Sequence, residues 1–253
     1  MIDKRQNNFS FWFPKVKDCG MYIPKTYYIV LPDAQTIQGR MLQEAFFMER
    51  QELDLIFIQK FVDCNILPDL TKIGLLGHIF VKNASFSNKF SARGSCNLYG
   101  TFDLARAISN INYAALCVGA GGTEEVVIRE FIEYNRENTP CIYEGLPLRS
   151  EFRVFYDFDK QEPLYTVNYW DYDYTYPNLY EATDRIIFEH ERGRLESVFN
   201  LQKDNVQNMV AEAMKNGVEG LTGQWSVDVL MDETGKFWLI DMGIAQMSTY
   251  WEK

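Results

Sequence analysis

The segment WSVDVLMDETGKFWLID, residues 225–241, places two apolar runs on either side of the turn sequence DETG. Runs rich in β-branched and aromatic residues around such a turn are typical of an antiparallel hairpin. Asp228 interrupts the first run and Asp241 ends the second. The segment therefore predicts an antiparallel sheet that carries carboxylates on otherwise apolar strands.

The register of this hairpin decides whether the two carboxylates meet. If DETG is a four-residue connection, Met231 pairs with Lys236, and Asp228 lies opposite Leu239 and diagonal to Asp241. The carboxylates then share one face, about 7–8 Å apart at the backbone. Hard cations that bridge carboxylates and substrate phosphates fit there, so we predict a metal site at Asp228 and Asp241. An odd loop without a bulge would separate them, and solvent-facing aspartates are the alternative.

The segment LRSEFRVF, residues 148–155, reads as a strand with a charged face. Arg149, Glu151 and Arg153 alternate, so they point to one side, whereas Phe152 and Val154 point to the other. Two guanidiniums around one carboxylate leave a positive charge suited to a phosphate or a bound carboxylate. A surface ladder of ion pairs is the alternative.

Lys82 ends the apolar run GHIFVKN. An ammonium in that position either emerges at a sheet edge or meets an anion, because an unpaired charge in apolar surroundings is costly. The loop that follows holds Lys89 and the sequence SARG, whose small residues would let backbone N–H groups approach phosphate oxygens. A solvated basic loop is the alternative. The stretch GAGG at 119–122 lacks the spacing of a phosphate or dinucleotide loop, which favours a simple turn.

Hydrophobic periodicity predicts alternating strands and helices along the rest of the chain. The predicted strands are at 27–31, 78–83, 126–132 and, as a second hairpin, 152–158 with 164–169. The predicted helices are at about 34–51, 102–117, 181–199 and 206–215. This pattern indicates an α+β or mixed α/β fold.

The composition of the chain limits the classes of molecule that it can bind. The net charge of −10, with no basic cluster, argues against nucleic acid as a main partner. The aromatic stretch NYWDYDY at 168–174 either lines a substrate cleft or packs on the core. No apolar run is long enough for a membrane span, and the chain opens without a secretion signal. Five scattered cysteines are then expected to be reduced thiols, and the protein to be cytoplasmic.

Together, FWFPK near the N-terminus, SEFRVF and the VDVLMDETGKFWLID hairpin resemble the ATP-grasp superfamily. The resemblance extends from FWFPKVKDCG to LIDM and rests on the order and spacing of these motifs. Within the superfamily the chain resembles most the branch of the eukaryotic cell-division-cycle factor that assembles a translation initiation complex. Some phage and bacterial ATP-grasp proteins are also similar.

The resemblance implies two lobes with antiparallel sheets that clasp a nucleotide. Residues 1–70 would form an N-terminal region, 71–133 the smaller nucleotide-clasping lobe, and 134–253 a C-terminal lobe with the phosphate and metal residues. It also implies ATP and Mg²⁺ as cofactors, with Asp228 and Asp241 as the magnesium ligands.

The resemblance further assigns individual roles. Lys82 corresponds to the strand lysine that contacts ATP phosphates. Arg153 corresponds to the arginine near the transferred phosphate, and Arg149 is a second catalytic candidate. Residues 129–133 correspond to the hinge whose backbone receives adenine, with Glu133 a candidate for the ribose. The predicted cofactor-binding set is Lys82, Lys89, Arg129, Glu130, Phe131, Ile132, Glu133 and Glu151. In one departure, Gly243 stands where the family often has an asparagine.

These features imply an Mg-ATP-dependent ligase that activates a carboxylate as an acyl phosphate for attack by an amine. The alternatives are an ATP-binding factor that assembles a protein client without turnover, and kinase-like transfer to a hydroxyl. The carboxylate and amine substrates, or the client, are not readable from the sequence, since variable loops build such pockets.

Overall fold

The computed structural model describes residues 4–47, 52–120 and 124–251. The helices are α1 (Phe9–Val16), α2 (Ile37–Phe47), α3 (Glu52–Asn65), α4 (Leu67–Ile73), α5 (Leu104–Cys117), α6 (Tyr172–Thr175) and α7 (Ala182–Gly217). The strands are β1 (Thr26–Val30), β2 (His78–Asn83), β3 (Asn97–Tyr99), β4 (Glu125–Glu130), β5 (Cys141–Ile142), β6 (Leu146–Pro147), β7 (Glu151–Asp157), β8 (Glu162–Asn168), β9 (Gln224–Met231) and β10 (Phe237–Ile244). The mixed α/β class with antiparallel sheets is confirmed. The end of the predicted helix at 34–51 and the last two residues of GAGG lie outside the described residues.

The first sheet has the strand order β1-β4-β2-β3, and every neighbouring pair is antiparallel. Its apolar side packs against α2, α3, α4 and α5, whose buried residues form one core with Ile79, Val81 and Ile128. The central strands β2 and β4 carry Lys82 and Arg129. These two cations are therefore set on a rigid, doubly paired part of the sheet.

The second sheet has the order β10-β9-β7-β8 and is also antiparallel. Helix α7 packs on β7 and β8, and the side chains of Phe152 and Val154 are fully buried in that core. The alternation predicted for LRSEFRVF is thus confirmed from Glu151 onward, because Glu151 and Arg153 lie on the opposite face and line the cavities described below, whereas Arg149 lies before the start of β7.

Helix α7 is a single helix, so the prediction of two helices at 181–199 and 206–215 is wrong. The polar stretch between them contains neither proline nor glycine, and the helix continues through it. The buried side chains of Phe188, Leu195, Val206 and Val210 follow one stripe across the whole length. Packing against the second sheet therefore keeps the helix continuous despite its polar middle. None of the helices in the described ranges is both long and apolar enough to cross a membrane.

Helix α1 connects the two sheets. It contacts β1 and β4, while Phe9, Trp12 and Phe13 pack in the core of the second sheet. The buried carboxylate of Glu125 on β4 accepts hydrogen bonds from the backbone N–H and the hydroxyl of Ser10. Residues 1–70 thus contribute to both lobes, and the predicted division at 70 and 133 stays a prediction.

Candidate functional site

A β-bulge in β10 brings the two aspartates together. Met231 pairs with Phe237, so the predicted pairing of Met231 with Lys236 is wrong, and the connection at 232–236 has five residues. The side chain of Asp232 accepts the Thr234 and Lys236 N–H groups, which closes this longer loop. An odd loop alone would separate the carboxylates, but the register shifts between Leu239 and Asp241.

The bulge restores the shared face that the sequence predicted. It puts Asp241 directly opposite Asp228, closer than the predicted diagonal. The bulge itself is held from the other lobe: Arg129 Nη1 donates to the Ile240 carbonyl, and Nη2 donates to the Leu239 carbonyl at 3.4 Å. Burial lowers the pKa of Arg129 to about 10, so its guanidinium stays charged at neutral pH.

Asp228 is held by Arg153. These residues lie opposite each other on β9 and β7, and Arg153 Nε and Nη2 each donate to a carboxylate oxygen at 2.7 Å. Its remaining Nη1 donates to the Thr249 carbonyl at 3.1 Å. Burial alone would lower the pKa of Arg153, but the Asp228 carboxylate outweighs that effect and raises it. The pair is a bidentate, desolvated ion pair.

Asp241 is held by Lys82 from the facing lobe. Lys82 Nζ lies 2.6 Å from Asp241 Oδ2, and the lysine is only 4% exposed. Of the two alternatives left open for this ammonium, the structure shows contact with an anion, the Asp241 carboxylate, and the contact with ATP phosphates stays a prediction. The ion pair closes the gap between the two sheets at their charged end.

A cavity of about 140 Å³ extends from these ion pairs between the sheets. One end is apolar, and its lining includes Pro24, Phe80, Phe131, Ile132, Pro147, Leu230 and Ile240. The other end is charged, with Lys82, Lys89, Asp228 and Asp241, and the cavity is also lined by Arg129, Glu130, Arg149 and Glu151. A ligand with a flat apolar part and an anionic part matches this polarity.

The chain segment after β4 borders the apolar end. The Phe131 N–H donates to the His78 carbonyl at 3.0 Å, and Arg149 Nη1 donates to the Ile132 carbonyl at 2.6 Å. Within the described ranges, the Ile132 N–H meets no protein acceptor. Glu133 does not line the cavity, and its carboxylate lies 2.9 Å from His78 Nδ1. The roles predicted for residues 129–133 stay predictions.

Arg149 and Glu151 occupy the wall between the two ends. Arg149 is buried, which lowers its pKa, and its Nε has no hydrogen-bond partner in the structure described. Its contacts are with the backbone of residues 132–133, so it positions that segment and lies away from the carboxylate pair. Burial raises the pKa of Glu151 to about 7, although Lys89 and Arg149 act to lower it.

Lys89 lies where the cavity opens into a second, larger cleft. Its ammonium donates to the Tyr169 hydroxyl and lies over the Tyr169 and Trp170 rings, 4.1 and 5.7 Å from their centroids. The cleft has a volume of about 680 Å³. Its aromatic lining residues are Phe86, Phe90, Tyr143, Tyr169, Trp170, Tyr174, Tyr180 and Tyr250. Cavity and cleft share Ser87, Lys89, Tyr169, Asp228 and Asp241.

The aspartate pair fits one mode of magnesium binding. Among the described residues no three His, Cys, Asp or Glu side chains are grouped as a metal site. Magnesium often takes only one or two carboxylates and completes its shell with substrate phosphates and water, which two opposed aspartates allow. Gly243 adds no ligand, and a Cβ there would lie 3.5 Å from Asn7 Oδ1 and 3.4 Å from Ser248 Oγ.

The structure gathers most of the predicted site residues in one place. The exception is Glu133, which faces His78; Arg149 lines the cavity, but it donates to backbone carbonyls and not to the aspartate pair. The hold of Arg129 on the bulge was not predicted, since it depends on a contact between distant segments. The aromatic stretch 168–174 did indicate the cleft, and Trp170 serves both predicted roles, because it packs in a core and lines the cleft.

No protein-family model matches the chain, and no curated protein matches it in sequence. Solved structures similar to it include the D-alanine–D-alanine ligase from Bacillus anthracis in complex with ATP, at 12% identity and a TM-score of 0.41 over 94% of this chain and 52% of that one. The biotin carboxylase domain of the 2-oxoglutarate carboxylase from Hydrogenobacter thermophilus has 12% sequence identity and a TM-score of 0.43, over 95% of this chain and 39% of that one. The ATP-grasp ligase PsnB has 11% sequence identity and a TM-score of 0.38, over 98% of this chain and 55% of that one. The chain thus spans about half the length of these proteins or less, and values this low establish no family.

Proposed function

We propose that the protein is an ATP-grasp ligase that binds Mg-ATP between its two sheets. The observation that carries this proposal is the bulge that places Asp228 opposite Asp241, with Lys82 and Arg153 beside them, at the charged end of a cavity whose far end is apolar. The two carboxylates can bind a cation, and the two cationic side chains can bind phosphates. The apolar end of the same cavity can hold a base.

The polarity of the cavity orients the nucleotide. The adenine would lie in the apolar end, where the Ile132 N–H, which has no acceptor among the described residues, would donate to a ring nitrogen. Arg149 fixes the Ile132 carbonyl and so holds this segment in place. The phosphates would lie against Lys82 and Arg153, which present the cationic groups nearest the aspartate pair.

Ligand binding requires an exchange of ionic partners. Asp228 and Asp241 would hold Mg²⁺, and Lys82 and Arg153 would turn from these carboxylates toward phosphate oxygens. ATP and Mg²⁺ would supply the phosphoryl group and the charge neutralisation that activate a carboxylate for attack by an amine. Because each ion pair is satisfied without ligand, neither the cation alone nor the nucleotide alone replaces all partners, which makes binding of the two cooperative.

A second function has one observation in its favour. Gly243 adds no ligand to the aspartate pair, and the described residues contain no group of three His, Cys, Asp or Glu side chains that could hold a metal, as expected for a protein that binds ATP and assembles a client without turnover. Kinase-like transfer to a hydroxyl needs the same phosphate residues and differs only in the acceptor. We take the ligase as the leading function because the larger cleft opens directly onto the aspartate pair.

Thermal unfolding with ATP and MgCl₂ tests binding. Ligand at about a hundred times its dissociation constant adds roughly 2.7 kcal/mol of stability. We expect ATP and magnesium together to raise the unfolding temperature more than the sum of their separate effects. No shift with both present would contradict the nucleotide site.

Hydroxylamine distinguishes the three functions once an acceptor is supplied. A ligase gives a hydroxamate together with ADP, whereas a kinase gives ADP without hydroxamate. An assembly factor binds ATP and gives neither product. A cytoplasmic location belongs to this proposal too, and fractionation of the source cells tests it.

A further inference from the structure

The larger cleft has the properties of an acceptor site. It opens beside the aspartate pair, and at about 680 Å³ it lies within the range of small-molecule sites, roughly 300–1,000 Å³. Several large side chains of its lining face solvent: Phe90 is 54% exposed, Tyr174 45% and Tyr180 86%. Exposed aromatics gathered around one opening indicate a surface that a ligand covers.

The charge of the cleft is unusual for so acidic a chain. Its only acidic lining residues in the described structure are Asp228 and Asp241, and each already has a cationic partner. The net charge of the whole chain is −10, so the acids elsewhere on the surface are kept out of this opening. The cleft therefore does not repel an anion as the rest of the surface does.

Lys89 supplies the cation for such an anion. Within the described residues no carboxylate lies within ion-pairing distance of its ammonium, whose hydrogen bond goes to the neutral Tyr169 hydroxyl. By contrast, Lys82 and Arg153 are paired with aspartates, and Arg129 and Arg149 with backbone carbonyls. The groups in direct contact with this partly buried ammonium are a phenol and aromatic faces, while the carboxylates of Glu151, Asp228 and Asp241 act on it from beyond ion-pairing distance, so it is placed to gain a direct charge-assisted contact.

The walls define the remainder of the ligand. Tyr174 and Tyr250 meet edge to face with centroids 5.0 Å apart, and Phe90 and Tyr143 do the same at 5.0 Å. Ring faces and edges on several sides favour a flat apolar group, because aromatic rings gain most from offset or edge contacts with other rings. The ligand would thus carry an anionic group at its inner end and a flat group at the rim.

We propose that this cleft binds the acceptor as a carboxylate attached to an aromatic group, with the carboxylate on Lys89 and the ring among the tyrosines. The proposal rests on the proposed function, and it assigns Lys89 to the acceptor in place of the nucleotide phosphates. In the ligase reaction a carboxylate oxygen forms a bond to the γ-phosphorus of ATP while the bond to ADP breaks, and ADP leaves with the electron pair. An amine then displaces inorganic phosphate from the acyl carbon and gives up a proton.

Three matched probes test the chemistry by calorimetry with the whole chain: 3-phenylpropionate, 3-phenylpropionamide, which lacks the charge, and propionate, which lacks the ring. We expect the first to bind at least about tenfold more tightly than either of the others, a difference of about 1.4 kcal/mol. Equal affinity for acid and amide would overturn the role of the cation. Equal affinity for 3-phenylpropionate and propionate would overturn the role of the aromatic walls.

Two variants locate the site. Lys89→Met should abolish the preference for acid over amide, whereas the exposed control Lys160→Met should keep that preference. Tyr174→Ala should weaken 3-phenylpropionate and leave propionate unchanged. If Lys89→Met lost Mg-ATP affinity and retained acid binding, Lys89 would be a nucleotide-binding residue, and the proposal would be overturned.

A free aromatic acid and the C-terminal carboxylate of a peptide ending in an aromatic residue share this chemistry. To separate the two sources, the affinity of N-acetylphenylalanine is compared with that of a peptide with C-terminal phenylalanine, and each acid is measured beside its own amide. The acid that binds more tightly identifies the source. Binding of the aromatic acids is measured without nucleotide. Failure of Mg-ATP binding with acid binding intact would therefore contradict the proposed function alone.

Discussion

The contact between Arg129 and the bulge leads to a prediction about both stability and metal dependence. Arg129 is 3% exposed and donates to the carbonyls of Leu239 and Ile240 and, at 3.2 Å, to Thr26 Oγ1. Arg129→Met keeps an unbranched side chain and removes all three donors. The two bulge carbonyls then lose their charged partner in a buried place.

The magnitude follows from opposing effects. The fall of the Arg129 pKa from 12.5 to about 10 corresponds to roughly 3 kcal/mol of burial cost that the substitution relieves. Hydrogen bonds from a charged donor contribute about 1.5–3 kcal/mol each, and three of them are lost. The lost hydrogen bonds sum to about 4.5–9 kcal/mol, so the net expectation is a destabilisation of about 1.5–6 kcal/mol.

Urea unfolding followed by tryptophan fluorescence measures this difference. The matched control is Arg136→Met, since the Arg136 side chain is 57% exposed and its substitution should cost under about 0.5 kcal/mol. The bulge decides on which face of the sheet the Asp241 side chain lies. We therefore expect Arg129→Met also to weaken the effect of magnesium on ATP binding. A loss of stability no larger than that of the control, with magnesium dependence intact, would refute the role of Arg129.

Three further predictions concern the charged groups around the cavity. Because the pKa of Glu151 is raised from 4.5 to about 7, its protonated form stabilises the fold at low pH, and this contribution is lost as pH rises through that window. Unfolding free energies of Glu151→Gln should fall less over the window than those of the native protein, and equal slopes would contradict the burial of this carboxyl. Arg153→Met should cost about 3–5 kcal/mol in urea unfolding by leaving Asp228 unpaired; an additional Asp228→Leu should recover part of the loss, and additive losses would contradict the pairing. Lys82→Ala should weaken Mg-ATP binding about tenfold to a hundredfold in calorimetry, whereas the exposed control Lys72→Ala should not, and equal affinities of the two variants would exclude a phosphate contact.

Local pattern was sufficient for the elements that carry the site. The strand that carries Lys82, the charged face with Glu151 and Arg153, and the two strands of the last hairpin follow from alternation and side-chain type alone. Their antiparallel pairing follows from the short connections. The fold class was predictable for the same reason.

The register and the hold on the bulge were not predictable from local pattern. The loop of five residues depends on side-chain hydrogen bonds of Asp232, and the shift before Asp241 depends on Arg129, far away in sequence. The two errors of register compensate, so the carboxylates share a face although the predicted pairing is wrong. The continuity of α7 likewise depends on packing and not on its polar middle.

The central claim is that Asp228 and Asp241 form one magnesium site for a bound nucleotide. The most direct measurement is the ATP affinity of Asp241→Asn with and without magnesium, because this change keeps the shape of the side chain and removes its charge. The exposed Asp173→Asn is the matched control. We expect magnesium to strengthen ATP binding to the native protein and the control but not to Asp241→Asn, and removal of Asp228 as well to cost little more. Full magnesium dependence in Asp241→Asn would contradict the metal site and leave the hairpin a structural element alone.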